Sequence, residues 1–162
     1  MIEEDISKKL KKNFLTIPFF ISIFFLNTGF IFKPKLNAFY CGSNMLLEKS
    51  NQNLLKQQSE LFIFDNKGKS YQYDYSTNKV YPEKTKISSG VEFKLIKSYI
   101  EGSKFYVDYG VNVNSMTGSA EIILDFEKKY ITGFMYMAGM SQPIPKNNCK
   151  EIEFPKDTNF EY

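Results

Sequence analysis

The sequence contains no histidine, no arginine and no tryptophan, and these absences exclude several kinds of site. Histidine is the commonest general base, so a Ser-His-Asp or Cys-His catalytic arrangement is impossible here. Without arginine the chain lacks the planar donor fork that best grips phosphate and carboxylate groups. Two distant cysteines do not make a zinc site, and no glycine-rich phosphate loop occurs. We therefore expect no cofactor and no bound metal.

An uncharged apolar run, Phe14–Phe32, follows a cluster of lysines near the start of the chain. As a helix it would be roughly 28 Å long, close to the thickness of a bilayer's hydrocarbon core. One interpretation is a secretory signal peptide covering residues 1–38, with cleavage after Ala38. The other is an uncleaved membrane anchor whose lysines stay in the cytoplasm. Both place 39–162 outside the cytoplasm as one exported domain: periplasmic, lumenal or secreted, or held to the membrane through residues 14–32.

The basic character of the chain belongs to this leading segment. Residues 1–38 hold six of the 21 lysines and three of the 18 carboxylates, so residues 39–162 carry equal numbers of each. A near-neutral domain has no electrostatic footprint for nucleic acid, and we expect no nucleic-acid partner.

The cysteines, Cys41 and Cys149, lie near the two ends of the predicted domain. In an oxidising compartment such a pair predicts one disulfide that ties the termini together. A redox-active pair is the functional alternative, but neither a C-x-x-C spacing nor a nearby base supports it.

Hydrophobic periodicity predicts the fold class. Leucines at 46, 47, 54 and 55 lie on one face of a helix, which predicts a short helix within 43–58, with a loop as the alternative. Beyond residue 60, apolar and polar residues alternate in short runs separated by turns about every ten residues. The runs are Leu61–Phe64, Tyr71–Tyr75, Val91–Leu95, Phe105–Val113, Ala120–Phe126 and Tyr130–Tyr136. They predict an all-β antiparallel meander that closes into a small barrel or forms a sandwich. Residues 83–90 are expected to be a polar connection, and Pro143, Pro145 and Pro155 predict a loop-like tail.

Tyrosines on the predicted strands are the candidate binding surface: Tyr71, Tyr73, Tyr75, Tyr106, Tyr109 and Tyr136. Amphipathic rings on one face can bind a small apolar ligand or a protein partner. The simpler interpretation is that aromatic residues are good strand formers and fill the core. Three carboxylates, Asp108, Glu121 and Asp125, could converge as an acid/base pair, although a solvated sheet face explains them equally simply.

The turn sequence VNVNSMTG at Val111–Gly118, together with Cys41 and Cys149, resembles small exported β-domain proteins of unknown function in bacteria. In these proteins a signal peptide precedes a meander with an N/D-x-x-TG turn. The resemblance implies no activity.

Three functions follow as expectations. The first is an exported, non-enzymatic binding or structural module. The second is a membrane-anchored accessory protein of an envelope complex. The third is a hydrolase using Asp108, Glu121 or Asp125.

Overall fold

The structure, a computed structural model, describes residues 34–162. The predicted signal peptide or anchor therefore lies almost entirely outside the described residues. Among residues 34–162, no helix is both long and apolar enough to span a membrane.

The described part is predominantly β, as predicted. Its strands are β1 Leu36–Tyr40, β2 Leu61–Asp65, β3 Ser70–Asp74, β4 Lys79–Pro82, β5 Thr85–Ser88, β6 Val91–Glu101, β7 Lys104–Val113, β8 Met116–Asp125, β9 Tyr130–Met137, β10 Met140–Asn148, β11 Lys150–Glu151 and β12 Asn159–Phe160. They form two six-stranded sheets. The first sheet has the order β11-β1-β2-β3-β4-β12, and the second has the order β10-β9-β8-β7-β6-β5.

The second sheet is an antiparallel meander whose order follows the chain. Between β7 and β8, Asn114 and Ser115 both have positive φ, of 46° and 71°. Positive φ at both central residues is the requirement of a type I′ hairpin turn, whose twist matches that of the flanking strands. The sheet therefore continues across this turn with Val113 paired to Met116.

The two sheets pack face to face across the first of two cores. Phe39, Phe62 and Phe64 of the first sheet meet inward side chains of β7, β8 and β9, and Phe64 stacks on Phe105 with ring centroids 4.2 Å apart. Neither sheet closes on itself, so the barrel alternative is wrong for the described residues. The edges β11, β12, β10 and β5 instead remain unjoined.

A second core covers the opposite face of the first sheet. The predicted helix within 43–58 is divided into α1 Asn44–Leu47, α2 Asn51–Leu55 and a 3₁₀ turn, Gln58–Glu60. The division falls where Ser50 takes an extended conformation and begins α2. Leu54 and Leu55 are buried against Ile63 and Tyr73 in this core.

Two segments predicted to be irregular are strands. The proline-rich stretch around Pro143 and Pro145 belongs to β10, which lies at a sheet edge. Edge strands tolerate proline because one side of the strand makes no ladder hydrogen bonds. The predicted polar connection 83–90 contains β5.

The disulfide between Cys41 and Cys149 forms as predicted and contributes to the first core. Cys41 directly follows β1, and Cys149 lies between β10 of the second sheet and β11 of the first. The bond therefore joins the end of β1 to the segment in which the chain crosses from the second sheet to the first. It also indicates an oxidising environment for this part of the chain.

Replacing both cysteines by serine should lower the free energy of unfolding by about 3–5 kcal/mol, because the bond closes a loop with a sequence separation of 108 residues. Urea unfolding of the oxidised protein, the reduced protein and the C41S/C149S variant measures this loss. Equal midpoints for the three forms would contradict the structural role.

Candidate binding site at Lys86

The six tyrosines proposed from the sequence do not share one surface. Tyr71 and Tyr73 are buried in the second core and Tyr109 in the first. Tyr75 is exposed beside β3, whereas Tyr106 and Tyr136 lie on the second sheet.

On the outward face of the second sheet, two of these tyrosines, Tyr106 and Tyr136, lie beside two other aromatic residues, Tyr99 and Phe134. Tyr106 stacks on Tyr99 with ring centroids 4.9 Å apart, and Phe134 lies 6.5 Å from Tyr136. Tyr99, Phe134 and Tyr136 are exposed. Amphipathic rings on an exposed face are the kind of surface that a protein partner uses.

The three candidate carboxylates do not converge in a cleft. Asp108 and Glu121 are direct cross-strand partners, and Asp108 forms an ion pair with Lys97 at 3.1 Å. Asp125 is buried, and its Oδ1 accepts a 2.8 Å hydrogen bond from the backbone N–H of Lys128. Asp125 thus closes the turn after β8, and Asp108 is neutralised by a lysine.

The clearest departure from hydrophobic patterning lies on β5. Lys86 is only 7% exposed, whereas the neighbouring Ile87 is 72% exposed. Lys86 pairs across the strands with Phe93, whose side chain packs against the first core. Cross-strand partners project to the same face of a sheet, so the lysine is directed between the sheets. Local violations of patterning of this kind concentrate at functional sites.

The ammonium of Lys86 has few protein partners. Its Nζ donates one 2.7 Å hydrogen bond to the backbone carbonyl of Leu61 and lies 4.6 Å from the centroid of the Phe62 ring. No carboxylate among residues 34–162 forms an ion pair with it. An ammonium has three N–H donors, so two remain available to a bound group.

Burial lowers the pKa of Lys86, and the negative charges of Glu83 and Glu60 partly oppose this effect. Desolvation disfavours the charged form of a buried lysine. An anion bound at Nζ would restore the interaction that the ammonium lost on leaving water.

Glu83 is held by a separate network. Its two carboxylate oxygens accept hydrogen bonds from Tyr109 Oη at 2.9 Å and from Ser70 Oγ at 2.5 Å. Burial raises the pKa of Tyr109, and the adjacent Glu83 raises it further. The tyrosine therefore stays protonated as a hydrogen-bond donor, which fixes one wall of the site.

A small cleft opens at Lys86 between the sheets, with a volume of about 80 Å³. Apolar and aromatic side chains form most of its wall, and two serines join Lys86 as its polar members. The lining residues are Ser59, Phe62, Lys86, Ser88, Phe93, Tyr109 and Ile122. The volume is far below the 300–1,000 Å³ of a pocket for a drug-sized molecule, so the cleft suits a group of only a few heavy atoms.

Apart from Tyr109, the sequence analysis missed this site. A lysine inside a segment rich in Lys, Ser and Glu carries no hydrophobic signal for a buried strand. The one available signal was the alternation of β-branched residues at Thr85 and Ile87, which is compatible with an edge strand.

Comparison with known proteins finds no matching family model and no significant match to a curated protein or a solved structure.

The lowered pKa of Lys86 predicts a specific pH dependence of stability. Between that pKa and the usual value of 10.5 the unfolded chain binds more protons than the folded protein, so stability rises with pH in this window. The variant K86M lacks this contribution to the pH dependence, because methionine does not titrate. The unfolding free energy of the wild type minus that of K86M should therefore increase as the pH rises from the lowered pKa of Lys86 towards 10.5.

Urea unfolding at constant ionic strength measures this difference. K84M is the matched control, because Lys84 is exposed two residues away and its removal should leave the pH dependence unchanged. A difference between wild type and K86M that does not vary with pH would contradict the burial of a charged Lys86.

Proposed function

We propose that the protein is an exported, non-enzymatic binding module whose ligand is a small carboxylate with a short apolar chain. The observation that carries this proposal is the buried ammonium of Lys86, which has a single hydrogen-bond acceptor and faces a cleft walled by Phe62, Phe93 and Tyr109. The cationic end would bind the carboxylate and the rings would cover the chain.

The electrostatics favour an anionic group over a neutral one. A buried charge is costly unless it is paired, and hydrogen bonds to charged partners are about twice as strong as neutral ones. A carboxylate oxygen at Nζ would supply both the missing charge and an acceptor for the remaining N–H donors. A hydroxyl or amide would supply only an acceptor.

The surroundings of Lys86 favour binding over catalysis. Its hydrogen bond goes to a backbone carbonyl, which cannot exchange protons. Glu83, whose charge acts on Lys86, is engaged on both oxygens by Tyr109 and Ser70. Among residues 34–162 no carboxylate forms an ion pair with Nζ, so Lys86 has no carboxylate partner with which to share a proton.

Export is supported by the disulfide, since such bonds persist in oxidising compartments. A buried disulfide whose cysteines lack the C-x-x-C spacing of redox-active pairs fits the periplasm, a secretory lumen or the extracellular space.

Butyrate, butyramide and 1-butanol share one alkyl chain and differ in the polar end, so they test the proposal directly. At pH 7 butyrate should bind at least about tenfold more tightly than butyramide, because only the carboxylate pairs with the ammonium. Chemical-shift titration of the ¹⁵N-labelled full chain measures the affinities, with the largest changes expected at Lys86, Phe93 and Tyr109.

K86M should abolish the preference for butyrate, whereas K84M should retain it. Equal binding of the three compounds by the wild type, or a preference that survives in K86M, would overturn the proposal. Absence of any saturable shift would do the same.

A second function, a domain tethered to an envelope complex, is favoured by the position of β1. This strand runs through the predicted cleavage site, and Ala38 is buried with its carbonyl accepting a 2.9 Å hydrogen bond from the N–H of Ile152. Cleavage after Ala38 would remove three residues that pair with β2. An uncleaved leader would keep the strand whole and hold the exposed aromatic face of the second sheet near a partner.

The intact mass of the protein recovered from its host distinguishes the two forms. The tethered form predicts the mass of the full chain, in the membrane fraction, lacking two hydrogens for the disulfide. A mass that begins at Phe39 would show that the leader is removed together with the first three residues of β1, and it would rule out the tether.

A further inference from the structure

Four of the six methionines in the chain line one hollow at the end of the second sheet. Met137 pairs across the strands with Met140, and Met135 pairs with Gln142. Met116 lies on the adjacent strand β8, two residues before the partner of Met137. The hollow has a volume of about 210 Å³ and is completed by Ala138 and Gln142.

The strand register places these thioethers on one face. Direct cross-strand neighbours have Cβ atoms about 4.5–5.5 Å apart, and diagonal neighbours are about 7–8 Å apart. Methionine has three rotatable side-chain bonds, so sulfurs at these positions can turn toward a common point. Met137 is the central residue, with Met140 opposite, Met135 along the strand and Met116 on the diagonal.

A glycine makes room for the central methionine. Gly118 is the β8 partner of Met137, and a Cβ at Gly118 would clash with the carbonyl oxygen of Tyr136 and lie 2.8 Å from Met137 Cγ. The Met137 side chain therefore crosses directly over the glycine and packs against the first core. It is anchored, whereas Met116 and Met140 are 51% and 60% exposed.

Core packing does not account for the exposed members. A methionine that fills a gap in a core is buried, and half or more of the Met116 and Met140 surfaces is open to solvent. The hollow contains no carboxylate and no amine. Among residues 34–162, no cluster of Cys, Asp and Glu offers a site for a harder ion.

We propose that this methionine hollow binds a soft monovalent metal ion, Cu(I) or Ag(I). Thioethers are soft neutral ligands that select Cu(I) over hard cations. They carry no proton in the accessible pH range, so binding should not depend on pH, unlike binding by thiolate or imidazole. Met137 supplies the anchored sulfur and Met135 the second half-buried one, and Met140 and Met116 close over the ion from the solvent side.

Ag(I) is the first probe because it is redox-silent toward the disulfide. Titration of the full chain carrying ¹³C-methyl methionine should saturate at one equivalent and shift the methyl signals of Met116, Met135, Met137 and Met140. The signals of Met1 and Met45 should stay unchanged, which makes them the internal control. Isothermal calorimetry at pH 5 and pH 8 should give affinities that agree within about twofold, and Zn(II) and Ca(II) should not compete.

The double variant M137L/M140L keeps the side-chain volume and removes two thioethers. Its affinity for Ag(I) should fall at least about a hundredfold, with binding of Cu(I) in competition with bicinchoninate reduced in parallel. M45L is the matched control and should bind as the wild type does. If the double variant fails to fold, protection of the four methionines from peroxide by Ag(I) in the wild type, read by peptide mass, replaces it.

Several results would overturn the proposal. They are absence of saturation at one equivalent, methyl shifts confined to Met1 and Met45, an M137L/M140L affinity equal to that of the wild type, and oxidation of the four methionines that Ag(I) does not slow.

Discussion

The constraint on which the rest of the fold depends is the complete burial of β2. All five residues from Leu61 to Asp65 are buried, so this strand has no solvent-facing side. Phe62 and Phe64 belong to the first core, and Leu61 and Ile63 belong to the second. An apolar strand of this kind is stable only between two covering layers.

Those two layers explain the remaining elements. The meander β5–β10 covers one face of the first sheet, and the short helices with the C-terminal residues Ile152, Phe154 and Phe160 cover the other. In the second core the helices precede β2 in the chain and the C-terminal residues follow the meander, so contacts between them close long loops at an entropic cost. The disulfide at Cys149 lies where the chain leaves the meander for the first sheet, and it lowers that cost by restricting the unfolded chain.

The parts of the fold that the sequence predicts correctly are the locally determined ones. Strands β7 and β9 alternate cleanly, and the Asn114-Ser115 turn has residues that tolerate positive φ. A bulge limits the same reasoning on β6, where the register shifts between Leu95 and Lys97 and reverses the alternation. Beyond the bulge, tertiary contacts determine which side chains of β6 face inward. One such contact is the 3.1 Å hydrogen bond that Ser98 Oγ accepts from the N–H of Ser70.

The candidate site was less predictable because its key residue breaks the pattern that sequence analysis relies on. Hydrophobic periodicity assigns Lys86 to the surface and Ile87 to the core, the reverse of what the structure shows. The inward direction of Lys86 follows from its pairing with Phe93, which the sequence pattern does not reveal. The same limit applies to tyrosine. Tyr71, Tyr73 and Tyr109 can bury their rings because Asp65, Asn78 and Glu83 accept hydrogen bonds from their hydroxyls. These acceptors lie six, five and 26 residues away, and strand alternation does not identify any of them.

A mismatch in strand length accounts for the methionine hollow. The strands of the second sheet that pack on the first are eight to eleven residues long, whereas the first sheet has strands of five residues or fewer. On β8 the inward side chains pass from Leu124 and Ala120, which are fully buried, to Met116, which is half exposed. The first sheet therefore covers only part of the meander, and the uncovered end is where the thioethers lie.

Lys86 lies at the other margin of the same interface, on the edge strand β5. Inward-pointing charged residues are one of the features by which edge strands avoid pairing with other chains, so a lysine facing the interface fits this position. The cleft and the hollow thus arise from one geometric cause, the incomplete overlap of two unequal sheets, but they differ in chemistry. One presents an ammonium among aromatic rings and the other presents neutral sulfurs, so a ligand suited to one has no matching partner in the other.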